Sequence, residues 1–173
     1  MKTGYLVFLG LYFFGLLIRA GYEQLKKTGR VNPKSKIIFT IVFIAMCLIW
    51  VSWFNMCPLD PLKLSLPQII KWMGFITFLV GLGLAIGAVI QLKGVENIDH
   101  LVTNGLFSKI RHPMYVGFIL WILGWAIYHG AVISLFVGLV AIVNILYWKR
   151  LEEGEMESKY GETYLEYRKR TCF

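Results

Sequence analysis

Charge is scarce in this chain: Asp, Glu, Lys and Arg make up 16% of 173 residues, and none of them falls in the middle of an apolar run. So little polar material cannot coat a soluble domain of this size. Ion pathways and proton relays need charged groups within the membrane, so their absence counts against a channel or transporter. Cysteine is rare as well. Cys47, Cys57 and Cys172 are odd in number and lack metal-ligand spacing, which speaks against a disulfide framework and against a zinc site. Cys172 is next to last and so does not fit a four-residue prenylation signal. Alternation of period two is missing, which leaves helices as the way to bury apolar runs in lipid. No cleavable leader is evident either: the first apolar run is preceded only by Lys2 and ends in charged residues.

What remains is apolar and basic. Hydrophobic residues make up 57% of the chain, mean hydropathy is +0.63 and the net charge is +8. Five apolar runs, at about 4–20, 37–56, 69–92, 114–129 and 131–148, predict membrane helices. The last two are joined by a tight hairpin at His129-Gly130-Ala131. The expected fold is therefore an all-α integral membrane bundle of about five transmembrane helices, formed by one domain over 1–173. Fifteen of the eighteen lysines and arginines flank the runs on one side; only Lys2, Lys63 and Lys71 fall on the other. The positive-inside rule then puts the N-terminus outside and the C-terminus in the cytoplasm. Between Asn55 and Gln68, Pro58, Pro61 and Pro67 with little charge read as a compact external cap. The third run carries Gly74, Gly81, Gly83 and Gly87, and the Gly83/Gly87 spacing predicts close approach of a neighbouring helix.

Polar chemistry gathers on the cytoplasmic side. Arg111-His112-Pro113-Met114-Tyr115-Val116-Gly117 marks the start of the fourth run. Proline suits the first position of a helix and disfavours helical geometry before it, so His112 should be extended. The free amides of Met114, Tyr115 and Val116 would then surround a mouth suited to an anionic group. Upstream, Asn104-Gly105 signals a turn in an ordered loop. In the tail, Met156, Tyr160, Tyr164 and Tyr167 recur at spacings of four, four and three, predicting a C-terminal amphipathic cytoplasmic helix on the membrane or across the bundle's mouth. Glu152 and Glu153 are adjacent carboxylates at a membrane boundary and need cationic partners, either Lys149 and Arg150 or a bound cation.

Three blocks together resemble the isoprenylcysteine carboxyl methyltransferase and phospholipid methyltransferase families: Leu101-Val102-Thr103-Asn104-Gly105-Leu106-Phe107, Arg111 to Gly117, and Glu152-Glu153 followed by Tyr160-Gly161-Glu162-Thr163-Tyr164-Leu165-Glu166-Tyr167. The resemblance covers roughly the C-terminal half. It implies methyl transfer from S-adenosyl-L-methionine to a lipophilic or lipidated acceptor, in a cavity between membrane helices closed by the tail. It also implies a cofactor held by His100, Leu101, Val102, Phe107, His112, Pro113, Met114, Tyr115 and Glu152. Phe107 stands where a tyrosine is common, and Trp148 where some members carry an arginine.

For such a reaction the protein must orient two reactants and exclude water. Glu152 and Glu153 are suited to the cofactor's ammonium or ribose, Arg111 or the helix start at Met114 to its carboxylate, and Tyr115 and Phe107 to adenine or the sulfonium. A carboxylate acceptor is already nucleophilic and would be oriented by Arg150 or Arg111. An amine acceptor requires a base, for which His112 or a glutamate is available. The residues assigned to the chemistry are thus Arg111, Arg150 and Glu153. The expected partners are membrane lipid and a lipophilic substrate, with no nucleic acid. Membrane sterol reductases share an Arg-His-Pro-x-Tyr-x-Gly block, which makes an NADPH-dependent reductase an alternative, although their pattern has Asn and Asp where this chain has Met114 and Phe118. A non-catalytic membrane scaffold is the other alternative.

Overall fold

The computed structural model describes residues 3–32, 35–92 and 101–173, and in it every apolar run winds into helix. The order is α1 (Thr3–Lys27), α2 (Lys36–Met56) with a 3-10 turn at Cys57–Leu59, α3 (Gln68–Leu92), a 3-10 turn at Gly105–Ser108, α4 (Pro113–His129), α5 (Val132–Tyr160) and α6 (Glu162–Arg170). Helices are what lipid demands, because every backbone N–H and C=O must be satisfied within its own segment. Among the described residues, strand-like pairing is limited to two isolated bridges, Lys63 with Ala131 and Ile110 with Cys172.

Helices α1, α2, α3 and α5 are long and apolar enough to cross a membrane. The fourth run is shorter, 17 residues in α4, or about 25 Å against roughly 30 Å of hydrocarbon. The expectation of about five spans thus becomes four long helices and one short one. In the other direction α5 overshoots. Its 29 residues extend about 43 Å, and the apolar run ends at Trp148, so some three turns carry Lys149 to Tyr160 out of the lipid.

α3 packs along α4 and α1 along α2, while α5 leans on α4 and α1. Tyr12, Trp53, Phe78, Trp121, Ile122, Ile145 and Trp148 form the shared core. Large apolar residues such as Leu17, Ile37, Ile90 and Phe136 stay exposed on the outer faces, as lipid-facing positions do. The α3/α4 seam is set by glycine pairs at seven-residue spacing, though not the pair expected. A Cβ at Gly117 would lie 2.6 Å from the Gly81 carbonyl oxygen, and one at Gly124 would lie 2.6 Å from that of Gly74. Gly83 faces open space and Gly87 meets only the Leu106 side chain at 3.0 Å. Two residues past Gly81 is more than half a turn, so Gly83 cannot share its face.

The 55–68 segment does form a cap. Asp60, 4% exposed, accepts hydrogen bonds from the Ser134 amide and hydroxyl, each at 2.6 Å, and from the Leu62 amide at 2.9 Å. A carboxylate placed on the first turn of α5 satisfies amides that have no partner within the helix. The α4–α5 hairpin turns on Gly130 at φ +61, and Leu64 donates to its carbonyl at 2.9 Å. The tail differs from the single helix expected: Gly161, at φ +53, breaks it into the end of α5 and α6. Only glycine reaches such a backbone geometry without strain.

Candidate functional site

The start of α4 and the polar end of α5 meet at one end of the bundle, with α6 folded beneath them. His112 precedes the helix at φ −124, ψ 63. It is non-helical, as the proline rule requires, but ψ stops short of the extended conformation expected. Pro113 takes the first helical position. Val116 donates to the His112 carbonyl at 3.1 Å, so its amide is not free, and the amides left at the helix start are those of Met114 and Tyr115.

Arg111 ties the site together. Its Nε donates to Glu153 Oε1 at 3.1 Å, and its Nη1 donates to the carbonyls of Arg168 at 3.1 Å and Thr171 at 2.5 Å. The chain end is stitched to the same segment, with Arg111 donating to the Cys172 carbonyl at 3.0 Å and Cys172 donating to that of Lys109 at 2.9 Å. From α6 the Tyr167 hydroxyl donates to the Phe107 carbonyl at 2.6 Å. Gln91, at the end of α3, holds the Asn104-Gly105 turn: its Nε2 donates to Asn104 Oδ1 at 3.0 Å, and its Oε1 accepts from the Leu106 amide at 3.0 Å.

The two glutamates divide their work. Glu153 sits behind the wall, largely covered, where one oxygen, Oε1, gathers Arg111 Nε at 3.1 Å, His112 Nε2 at 3.4 Å and Lys149 Nζ at 3.7 Å. Glu152 keeps 41% of its side chain exposed, and its Oε2 lies 3.4 Å from His112 Nδ1. These residues stand beyond Trp148, outside the apolar run. Burial pushes the Glu152 carboxyl up, but His112 and the Tyr115 hydroxyl outweigh it and hold it below the usual carboxylate range. Burial is likewise outweighed at Glu153, by Lys149, Arg111 and His112. Both are therefore ionised at neutral pH. Arg111 and Lys149 are the cations that hold Glu153, and the His112 ring lies against both carboxylates; Arg150 is not among these partners.

Above this network lies a cavity of about 750 Å³, counting its open mouth, lined by Leu92, Leu101, Val102, Phe107, Arg111, His112, Pro113, Met114, Tyr115, Glu152, Met156, Tyr164 and Tyr167. Of the residues expected to hold a cofactor, Leu101, Val102, Phe107, His112, Pro113, Met114, Tyr115 and Glu152 all border this one space. His100 lies outside the described residues. Of the three assigned to the chemistry, Arg111 lines the cavity, Glu153 sits behind it and braces Arg111, and Arg150 does not border it. It faces a separate groove with Glu23, Lys27 and Gly154 on the far side of α5. Residues two apart on a helix do not share a face, so Arg150 cannot point where Glu152 points.

Four lining residues were not assigned to the cofactor from the sequence: Leu92, Met156, Tyr164 and Tyr167. The tail periodicity did single out Met156, Tyr164 and Tyr167, and the break at Gly161 turns Tyr164 and Tyr167 under the cavity. The Tyr164 hydroxyl and His112 Nε2 are buried and make no hydrogen bond among the described residues, although Nε2 lies near Glu153. Burial, reinforced by Glu153, pushes the Tyr164 phenol up to about 12, so it stays protonated and able to donate.

A family model described as phospholipid methyltransferase matches residues 69–163, more than half of the chain. The chain belongs to the phospholipid methyltransferase family. The matched stretch runs from the start of α3 into α6 and contains every lining residue except Tyr164 and Tyr167. Among curated proteins, the chain is 35% identical over 82 residues to a protein-S-isoprenylcysteine O-methyltransferase of Schizosaccharomyces pombe, covering 43% of this chain and 33% of that protein. It is 28% identical over 170 residues to the protein of the same name from Xenopus laevis, covering 86% of this chain and 57% of that one. The chain therefore spans only part of the length of these relatives. No solved structure matches it.

Proposed function

We propose that this membrane protein transfers a methyl group from S-adenosyl-L-methionine to a lipophilic acceptor, at the cytoplasmic end of the bundle. The observation that carries the reading is one cavity at the lipid boundary that combines an exposed carboxylate with apolar walls and buried, unpartnered hydrogen-bonding atoms. The residues fit the methyl donor. Glu152 suits its ammonium or ribose hydroxyls, and Arg111 with the Met114 and Tyr115 amides suits its carboxylate. The Tyr164 hydroxyl, buried and without a hydrogen-bond partner among the described residues, supplies further hydrogen-bonding capacity. Leu92, Leu101, Val102, Phe107 and Met156 offer apolar surface for the remainder.

When bound, the donor supplies a methyl carried on a positively charged sulfur, already activated for displacement. The chain's residues then have to orient and to exclude water. Tyr164 and Tyr167 on α6 close the cavity from below, held there by the Tyr167–Phe107 hydrogen bond and by Arg111. Glu153 keeps Arg111 in place from behind. His112, the imidazole at the cavity, has both nitrogens 3.4 Å from carboxylates. It is held as a structural link and is poorly placed to accept a proton from an acceptor. That favours an acceptor that arrives already nucleophilic, namely a carboxylate on a lipidated molecule such as a prenylated cysteine, in keeping with the names of the two relatives. The charge bias toward this end of the bundle supports the cytoplasmic orientation.

The test is incubation of the detergent-purified protein with methyl-labelled S-adenosylmethionine, presenting an S-farnesylated cysteine derivative with a free carboxylate in one arm and phosphatidylethanolamine in the other. Base-labile label on the farnesylated carboxylate is expected. Label on the amine alone would move the acceptor to the phospholipid class. No label in either arm, with no binding of the methyl donor, would overturn the reading.

A further inference from the structure

We propose that the groove on the far side of α5, between the last turns of α1 and the polar extension beyond Trp148, binds the phosphate of an anionic membrane lipid. The inference is independent of the methyltransferase reading. The groove encloses about 910 Å³, largely open to its surroundings, and its wall includes Glu23, Lys27, Arg150, Gly154 and Glu155. Its two carboxylates are already engaged. Glu23 pairs with Arg19, whose guanidinium lies over the Tyr22 and Trp148 rings at 5.3 and 4.9 Å. Glu155 faces Lys26 at 3.9 Å. Lys27 and Arg150 have no carboxylate partner among the described residues, so the groove holds uncompensated positive charge.

Depth and shape favour a lipid over a soluble anion. Arg150 lies two residues past Trp148, about 3 Å beyond the end of the apolar run, and so at the level of the headgroups. Its planar fork suits two phosphate oxygens at once. Lys27 reaches the same groove from α1, and side chains of this kind seek the headgroup layer. A Cβ at Gly154, which borders the same groove, would meet nothing within 4 Å, so no side chain fills the groove there. A zwitterionic lipid would bring its own cation into this field, which selects for headgroups with net negative charge. The groove and the cavity occupy different faces of α5, one bordered by Arg150 and Gly154 and the other by Glu152 and Met156.

The full chain in non-ionic detergent is titrated with short-chain phosphatidylglycerol, short-chain phosphatidylcholine and inorganic phosphate, with binding read by native mass spectrometry and by the thermal midpoint. Phosphatidylglycerol is expected to bind and raise the midpoint, and the other two are not. Lys27→Gln with Arg150→Gln should weaken phosphatidylglycerol binding at least fivefold, whereas Arg30→Gln with Lys36→Gln, an equal loss of charge elsewhere on this end, should not. Equal binding of phosphatidylcholine, saturation by inorganic phosphate alone, or the same loss in the control pair would each overturn the proposal. Should the neutral pair fail to fold, the comparison of the three ligands on the parent chain decides.

Discussion

Glu152 and Glu153 are neighbours in sequence, and changing each to glutamine should produce opposite signatures. Glu152 faces the cavity with 41% of its side chain exposed, and its Oε2 lies 3.4 Å from His112 Nδ1, a distance a glutamine oxygen can keep, so Glu152→Gln costs the fold little. What it removes is a charged acceptor for the ligand. A hydrogen bond to a charged group contributes about 1.5–3 kcal/mol, and solvent at the cavity mouth places this one near the lower end. That corresponds to roughly tenfold weaker binding of the methyl donor. Glu153 is 13% exposed and braces Arg111, which is 11% exposed, together with Lys149. Glu153→Gln leaves both cations without an anion and should cost about 1.5–3 kcal/mol of stability. Binding by equilibrium dialysis and thermal midpoint, measured on both variants in one detergent, separate the two effects. If Glu152→Gln bound the donor within about twofold of the parent, a loss of only some 0.4 kcal/mol, the division of labour drawn above would be wrong.

Three further outcomes follow from the same geometry. Gly117→Ala puts a methyl 2.6 Å from the Gly81 carbonyl oxygen and should destabilise the bundle by about 1–3 kcal/mol, whereas Gly83→Ala should be neutral; thermal midpoints compare the two. Tyr167→Phe deletes the hydrogen bond to the Phe107 carbonyl and should make α6 more open to limited proteolysis, with a stability loss of about 1 kcal/mol. Acid should release the tail. Because the folded Glu153 carboxyl is held below its ordinary value, its contribution is present at neutral pH and fades as pH falls through the ordinary carboxylate range and below it. Proteolysis of α6 should therefore rise in acid for the parent and depend less on pH in Glu153→Gln.

Much of this site could be read from the chain because it depends on local rules. Arg111-His112-Pro113 announces a helix start, Glu152-Glu153 announces an unmet need for cations, and the spacing of Met156, Tyr164 and Tyr167 announces a face. What escaped was direction. Arg150 is grouped with Arg111 and Glu153 by the sequence, and three-residue spacing from Glu153 allows that, but the groove it borders appears only once α1 is packed beside α5. Gly83/Gly87 and Gly74/Gly81, four and seven apart, each place two glycines on one helix face, and only the partner glycines on α4 show which pair is used. Gln91 carries no signal of its own; its role appears once the Asn104-Gly105 turn is folded back against α3. The split of the tail at Gly161 required knowing that α6 has a cavity to close.

The most direct test is to cross-link labelled S-adenosylmethionine to the purified protein by ultraviolet irradiation and to map the labelled peptides. Label should appear both in the segment from Leu101 to Tyr115 and in that from Glu152 to Tyr167, and unlabelled donor in excess should abolish it. Label confined to one of these segments, or found elsewhere in the bundle, would contradict a single binding cavity built from both.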